Sequence, residues 1–253
     1  MTKPFDGRVA LITGTGGGQG RAAALRFADQ GASVVGCDLK VEGNRQTVAM
    51  VKRAGGEMTG MEPVDLGDPD EAREWVEAAA AVYGRIDIVY NNAAFARAGT
   101  IDQFSVEDWR FTVRNELDLV FYVSKFAWPY LAERGGVIIN TASTAGWIGT
   151  RALGMVAHTA TKGAVIAMTR QMAVEGAAHG IRAVSISPGV IESPTTEELL
   201  SNPAARSALI SANLIARVGQ PEDVAALATF LASDDASFLT GSDFVADGGA
   251  LAI

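Results

Sequence analysis

Residues 8–38 read RVALITGTGGGQGRAAALRFADQGASVVGCD, and this stretch decides the fold. Arg8 to Thr13 is a short apolar run of the kind shown by a strand buried on both faces. Gly14 to Gly20 interrupts it, and an Ala-rich amphipathic pattern from Arg21 to Gln30 follows with helical spacing. Gly31 closes that helix, and Ser33 to Asp38 is the next strand. A glycine-rich turn between a strand and a helix lets backbone N–H groups approach a pyrophosphate, whose charge the helix N-terminus favours. The G-x-G-x-x-G spacing is absent, because Gln19 stands three positions after Gly16. The pattern is instead Thr13-Gly14-x-x-x-Gly18-x-Gly20, which taken alone also describes a flexible turn with no ligand. Asp38 shifts the balance. It ends the second strand twenty positions beyond Gly18, where a carboxylate can hold the adenosine ribose hydroxyls of a dinucleotide. The same carboxylate would repel a 2′-phosphate about 4 Å away by up to roughly 4 kcal/mol per charge pair. Thr15, Gly16 and Gly17 offer no compensating cation, and Arg21 and Lys40 read as solvated residues, so NAD is expected over NADP.

The alternation continues outward from this unit. Helical patterns at 44–54 and 70–83 flank a strand near 58–64, and residues 86–91 form a fourth strand. One long helix is predicted from Val106 to Glu133, then a strand at 136–141, a helix at 156–178 and a strand at 182–187. Residues 190–215 break the rhythm with two prolines and many polar residues, and read as a substrate flap with one or two short helices. A helix at 221–233 and a closing strand at 243–245 complete the chain. Strands alternating with helices imply an α/β fold with a doubly wound parallel sheet covered on both faces. With no linker and no repeat, residues 1–253 read as one domain.

Composition narrows the function classes. The 253 residues are 48% hydrophobic and 20% charged, which suits a packed core and excludes a disordered chain. A net charge of −8 makes nucleic acid and anionic membranes unsuitable partners. There is no eighteen-residue apolar run and no basic leader with an apolar core. The lone Cys37 excludes an internal disulfide and suits a reducing compartment, so a cytoplasmic protein is expected. No His, Cys or Asp cluster has metal-ligand spacing, and no metal is expected.

Over almost its whole length the chain resembles the short-chain dehydrogenase/reductase family. The marks are the Thr13–Gly20 loop, Asp65-Leu66, and Asn91-Asn92-Ala93-Ala94 where the family usually has N-N-A-G. Asn115, Ser143, Lys162, Pro188-Gly189-Val190-Ile191 and Asp247-Gly248-Gly249 follow in family order. The resemblance implies a Rossmann-type sheet of about seven strands and a homotetramer. It implies that Gly14, Gly18, Gln19 and Gly20 line the pyrophosphate, and that Asp38 and Leu39 hold the ribose. Asp65 and Leu66 would flank the adenine, and Asn92 and Ala93 would pass beneath the cofactor. Pro188 and Ile191 would border the nicotinamide, whose ribose Lys162 would bind. Ser143 would bind the substrate oxygen, and Asn115 would hold a water leading to Lys162. The implied reaction is hydride transfer between NAD(H) and a secondary alcohol or ketone.

One position departs from the family. Its acid/base tyrosine lies four residues before the lysine, where this chain has His158. Tyr83, Tyr90, Tyr122 and Tyr130 all lie upstream of residue 131 and offer no local substitute. The spacing of four keeps His158 and Lys162 on one helical face. Three readings stay open. His158 transfers the proton itself; imidazole titrates nearer neutrality than phenol, although its ring is shorter by on the order of 1.5 Å, and a 1 Å misplacement costs roughly a hundredfold. Alternatively, His158 marks an impaired Tyr-to-His variant, or the protein is a non-catalytic NAD-binding scaffold or sensor. Trp147, Ile148, Leu153 and Met155 suggest an apolar wall for a mid-sized substrate, with Arg151 beside them. His179 reads as an ordinary surface histidine.

Overall fold

The structure, a computed structural model, describes residues 3–150 and 154–252. The apolar runs form strands β1 (Val9–Thr13), β2 (Ser33–Cys37), β3 (Glu57–Met61), β4 (Ile88–Asn91), β5 (Gly136–Thr141), β6 (Ile181–Pro188) and β7 (Asp243–Ala246). They pair in parallel throughout, in the order β3-β2-β1-β4-β5-β6-β7. Because parallel neighbours need a crossover, helices cover both faces, and alternate strand residues enter two different cores. Val9 and Leu11 join Val35, Val89 and Ile138 on one face. Ala10 and Ile12 join Val34, Tyr90 and Ile139 on the other. The single α/β domain and its seven strands agree with the sequence reading.

Helices α1 (Gly18–Asp29), α2 (Val41–Arg53) and α3 (Pro69–Tyr83) follow the first three strands. The start of α3 is set locally. Asp68 caps it by accepting the Asp70 and Glu71 N–H groups, Pro69 occupies the first position, and Gly84 closes it in the left-handed region. β3 stops at Met61, short of the predicted Val64, because Pro63 has no N–H for the ladder.

The long helix predicted at 106–133 is not continuous. α4 (Val106–Val113) runs into a π turn at Arg114–Asp118, and α5 (Leu119–Ala132) follows. The wider turn turns two consecutive residues, Asn115 and Glu116, into the interior. It also presents the Asn115 carbonyl to the chain after β4, where it accepts the Phe95 N–H at 3.1 Å.

α6 (Val156–Gly176) buries a stripe that includes Ala157, Thr161, Val165, Ile166 and Thr169, and Lys162 lies on that stripe. Residues 190–215 contain two short helices, α7 (Glu197–Ser201) and α8 (Pro203–Ser211). They are tied down where Glu192 N–H and Gly219 N–H donate to the Gly219 and Val190 carbonyls. α9 (Pro221–Ala232) then packs beside α1.

Two glycines with opposite surroundings test this packing. A Cβ on Gly20 would overlap the Gly14 carbonyl, whereas one on Gly163, inside α6, would meet only the Gly146 carbonyl at 3.7 Å. Gly20→Ala is expected to destabilise the fold by about 1–3 kcal/mol through overpacking. Gly163→Ala is expected to stabilise it by about 0.5–1 kcal/mol through helix propensity. Thermal melts should shift in opposite directions.

Candidate active site

All the strands point one way, so the turns that follow them collect at one end of the sheet. The strand order reverses between β1 and β4, the place where open parallel sheets take their ligands. Thr13 closes this point: its Oγ1 accepts the N–H groups of Asn92 and Ala93, each at 2.9 Å, and its carbonyl accepts the Asn92 side-chain amide.

The glycine loop leaves β1 here. Gly14 and Gly18 have φ of +74° and +48°, which only glycine adopts readily. The Gly16 N–H donates to Asp38 Oδ2 at 2.7 Å, and the Lys40 N–H donates to Oδ1 at 2.7 Å. Asp38 thus holds the loop while standing at the end of β2 beside the exposed Leu39. The loop is braced from below as well. Thr15 Oγ1 donates to Asn44 Oδ1, and Thr47 Oγ1 donates to the Thr15 carbonyl. Arg21 donates to the Gly16 and Gly43 carbonyls and to Thr47, so its guanidinium is a strut and not a solvated group. At the first turn of α1 the Gln19 Oε1 is buried without a partner among the described residues. A loop with no Cβ at Gly14, Gly16, Gly17, Gly18 and Gly20, a helix N-terminus and a carboxylate at the next strand end fit a dinucleotide.

The other predicted cofactor residues fall around the same edge. Asp65 is less free than the sequence suggests, because its carboxylate accepts Arg114 Nη2 at 2.8 Å and the Gly67 N–H at 3.0 Å. Leu66 and Ile191 are buried in the core, so each offers the site mainly backbone. Pro188 ends β6. Ser193 and Pro194, which the sequence reading placed in the substrate flap, lie directly against Gly18 and Gly17.

Ser143 follows β5 and caps a short 3-10 turn, Thr144–Gly146, its Oγ accepting the Ala145 N–H. That turn packs on α6, where a Cβ on Gly146 would touch the Lys162 backbone. The Trp147 indole donates to Asp243 Oδ2 at 2.7 Å, and both Trp147 and Ile148 are about half exposed. Met155 stands at the residue before α6, while Arg151 and Leu153 lie outside the described residues.

On α6, Lys162 Nζ donates to the Thr141 carbonyl at 2.9 Å, and the side chain is only 2% exposed. Burial holds its pKa below the ordinary lysine value, and the charge of Glu116 counters this in part. His158 Nδ1 lies 2.8 and 2.9 Å from the two carboxylate oxygens of Glu116. Thr161 Oγ1 donates to Glu116 Oε2 at 2.6 Å. Burial alone would raise the Glu116 pKa, but the Lys162 charge and the bonds from His158 and Thr161 outweigh it and hold the carboxyl below its ordinary value. Asn115 turns its amide back to the Phe111 carbonyl at 2.8 Å. Sequence reasoning missed Glu116. Its only signal was an acid midway along the long predicted helix, and Asp118 carries that same signal without being buried.

The Glu116 shift carries a pH signature. Its folded pKa lies below the ordinary 4.5, so its contribution is complete above that pH and is lost as pH falls through the folded value. Glu116→Gln is therefore expected to lose on the order of 3 kcal/mol of stability at pH 7. In melts run at decreasing pH, the gap from the parent protein should narrow below about 4.5.

Among the described residues, no group of His, Cys, Asp or Glu suits a metal, and no helix is long and apolar enough to cross a membrane. Residues 14–250 match the family model described as enoyl-(acyl carrier protein) reductase. The chain is 37% identical over 250 residues to cyclohexanol dehydrogenase of Acinetobacter sp. (strain SE19), covering 98% of this chain and 96% of that protein. It is also 37% identical over 252 residues to meso-2,3-butanediol dehydrogenase of Serratia marcescens, covering 98% and 96%. A crystal structure of a short-chain type dehydrogenase/reductase from Mycobacterium marinum superposes with a TM-score of 0.92 at 31% identity, covering 97% of this chain and 96% of that one. Likeness of this extent, in sequence and in backbone alike, places the chain among the oxidoreductases of the short-chain dehydrogenase/reductase family.

Proposed function

We propose that the protein is an NAD(H)-dependent oxidoreductase acting on a secondary alcohol or ketone, with His158 as its acid/base. The observation that carries this reading is the convergence on one edge of the sheet of a braced glycine loop with Asp38 and the pair His158 and Lys162 on α6. Relatives named for cyclohexanol and meso-2,3-butanediol support the substrate class. The half-exposed Trp147 and Ile148 suit a substrate that is partly apolar.

When bound, the nicotinamide supplies or receives the hydride. The protein does the rest. Gly14, Gly18, Gln19 and Gly20 would hold the pyrophosphate, and Asp38 with Leu39 would hold the adenosine ribose. Asp65 and Leu66 would border the adenine through their backbone, as Asn92, Ala93, Pro188 and Ile191 would border the rest. Lys162 would bind the nicotinamide ribose. Ser143 would donate to the substrate oxygen while His158 gives or takes the proton there. The family role of Asn115 as a water holder suits its place in the π turn.

Cofactor preference follows from Asp38 and Arg21. The first would repel a 2′-phosphate, and the second has its Nε committed to Thr47 and its Nη2 to the Gly16 and Gly43 carbonyls. The segment 190–215 serves as a substrate flap, since Ser193 and Pro194 already adjoin the glycine loop. Trp109 and Phe121, exposed on α4 and α5, suit burial in a homotetramer, for which light scattering should give four subunits and not one.

Fluorescence titration should find NADH bound at least tenfold more tightly than NADPH, with Asp38→Ala reducing the difference. Tighter NADPH binding would reverse the role given to Asp38. Against a panel of secondary alcohols, His158→Ala should lower kcat about 100- to 10,000-fold. Equal rates for parent and alanine variant would exclude His158 as the acid/base, and a His158→Tyr variant faster by orders of magnitude would mark the parent as impaired.

A further inference from the structure

We propose that Glu116 is a positioning residue for the reaction, holding His158 through Nδ1–H so that Nε2 is the nitrogen that exchanges the substrate proton. The proposal rests on His158 being the acid/base. Both carboxylate oxygens lie within 2.9 Å of one nitrogen. Two lone-pair atoms that close need a proton between them, and these lengths suit a charge-assisted hydrogen bond. The carboxyl is held in its ionised form by Lys162 as well as by its bonds, so the proton belongs to Nδ1. A neutral ring protonated on Nδ1 carries its lone pair on Nε2. Among the described residues Nε2 has no hydrogen-bond partner.

Three features make the contact a built one. Glu116 is 2% exposed and His158 retains 17%, so the pair is buried at its carboxylate end and open at its ring. Thr161, one helical turn after His158, fixes the second side of the carboxylate. The π turn is what brings Glu116 inward beside Asn115. A mere counter-charge for Lys162 would require neither the contact with Nδ1 nor that with Thr161.

In the oxidative direction the carbinol C–H bond would break, and a bound oxidised nicotinamide would be the acceptor of its electron pair as hydride. The O–H bond breaks, its proton passes to Nε2, and the C=O bond forms. The imidazolium so produced is stabilised by Glu116, while the Nδ1 proton stays in place. Reduction runs through the same bonds in reverse. The arrangement parallels the carboxylate that orients the histidine of a hydrolytic triad. It also removes the ring's freedom to rotate, which fixes where Nε2 stands.

The chain has only two histidines, so long-range ¹H–¹⁵N spectra of the ¹⁵N-labelled protein resolve both rings, and His179→Gln assigns them. Above the pH at which the ring loses its charge, the expected spectrum shows protonated Nδ1 and unprotonated Nε2 for His158. Glu116→Leu should move the proton to Nε2, the form a free imidazole prefers. It should also lower kcat about 10- to 100-fold, with KM and NADH affinity changed less than about twofold. In a His158→Ala background the same substitution should cost nothing more. Should Glu116→Leu fail to fold, the parent spectrum still decides, and Glu116→Gln carries the kinetics. Full activity in His158→Ala removes the acid/base reading and the proposal with it. A slow His158→Ala enzyme, combined with a parent ring protonated on Nε2, overturns the positioning role alone. So does an equal Glu116→Leu loss in the absence of His158.

Discussion

Direction is the constraint on which this molecule depends. Seven parallel strands must all be entered from one end and left from the other, so every loop that leaves a strand opens on the same side. The glycine loop, Asp38, Asp65, Asn92, Ser143 and Pro188 belong to six different strand exits, yet they form one edge. None of them needs a special local device to reach the others. The sheet supplies the arrangement, and its two cores keep it stiff.

Charge on this edge is placed where it also holds structure. Asp38 accepts two backbone N–H groups and Arg21 donates to two carbonyls, so the loop is fixed by groups of both signs. Lys162 is buried on α6, a position that costs solvation and is tolerated because a carboxylate and a strand-end carbonyl are near. Arg114 and Asp65 repeat the pattern one layer out, tying the π turn to the exit of β3. Groups set out in this way lose little freedom when a ligand arrives, which is what preorganisation requires.

Much of this was legible in the sequence because buried parallel strands leave unbroken apolar runs. β5 matches its expected span residue for residue, β1 and β2 differ by one residue at one end, and β6 is one residue longer at each end. The glycine loop and Asp38 were legible for a related reason, since backbone approach and a strand-end carboxylate have fixed residue requirements. The break in the long helix was not. A π turn changes which carbonyl each N–H meets, and that shift leaves no mark in composition. The pairing of Glu116 with His158 was equally hidden, because it joins residues forty-two apart whose meeting depends on that same turn. Arg21 was misjudged for want of the carbonyls of Gly16 and Gly43, which only the folded loop brings to it.

The π turn has a consequence for how this helix can change over time. It absorbs about one extra residue within a single turn, so α4 and α5 keep their faces on either side of it. Deleting a single residue from 114–118 would restore a regular helix and leave Leu119, Val123 and Ala127 in the core. What such a deletion would remove is the widened turn that puts the neighbours Asn115 and Glu116 inward together. The extra residue therefore serves the site beside α6 and not the packing of the helix on the sheet.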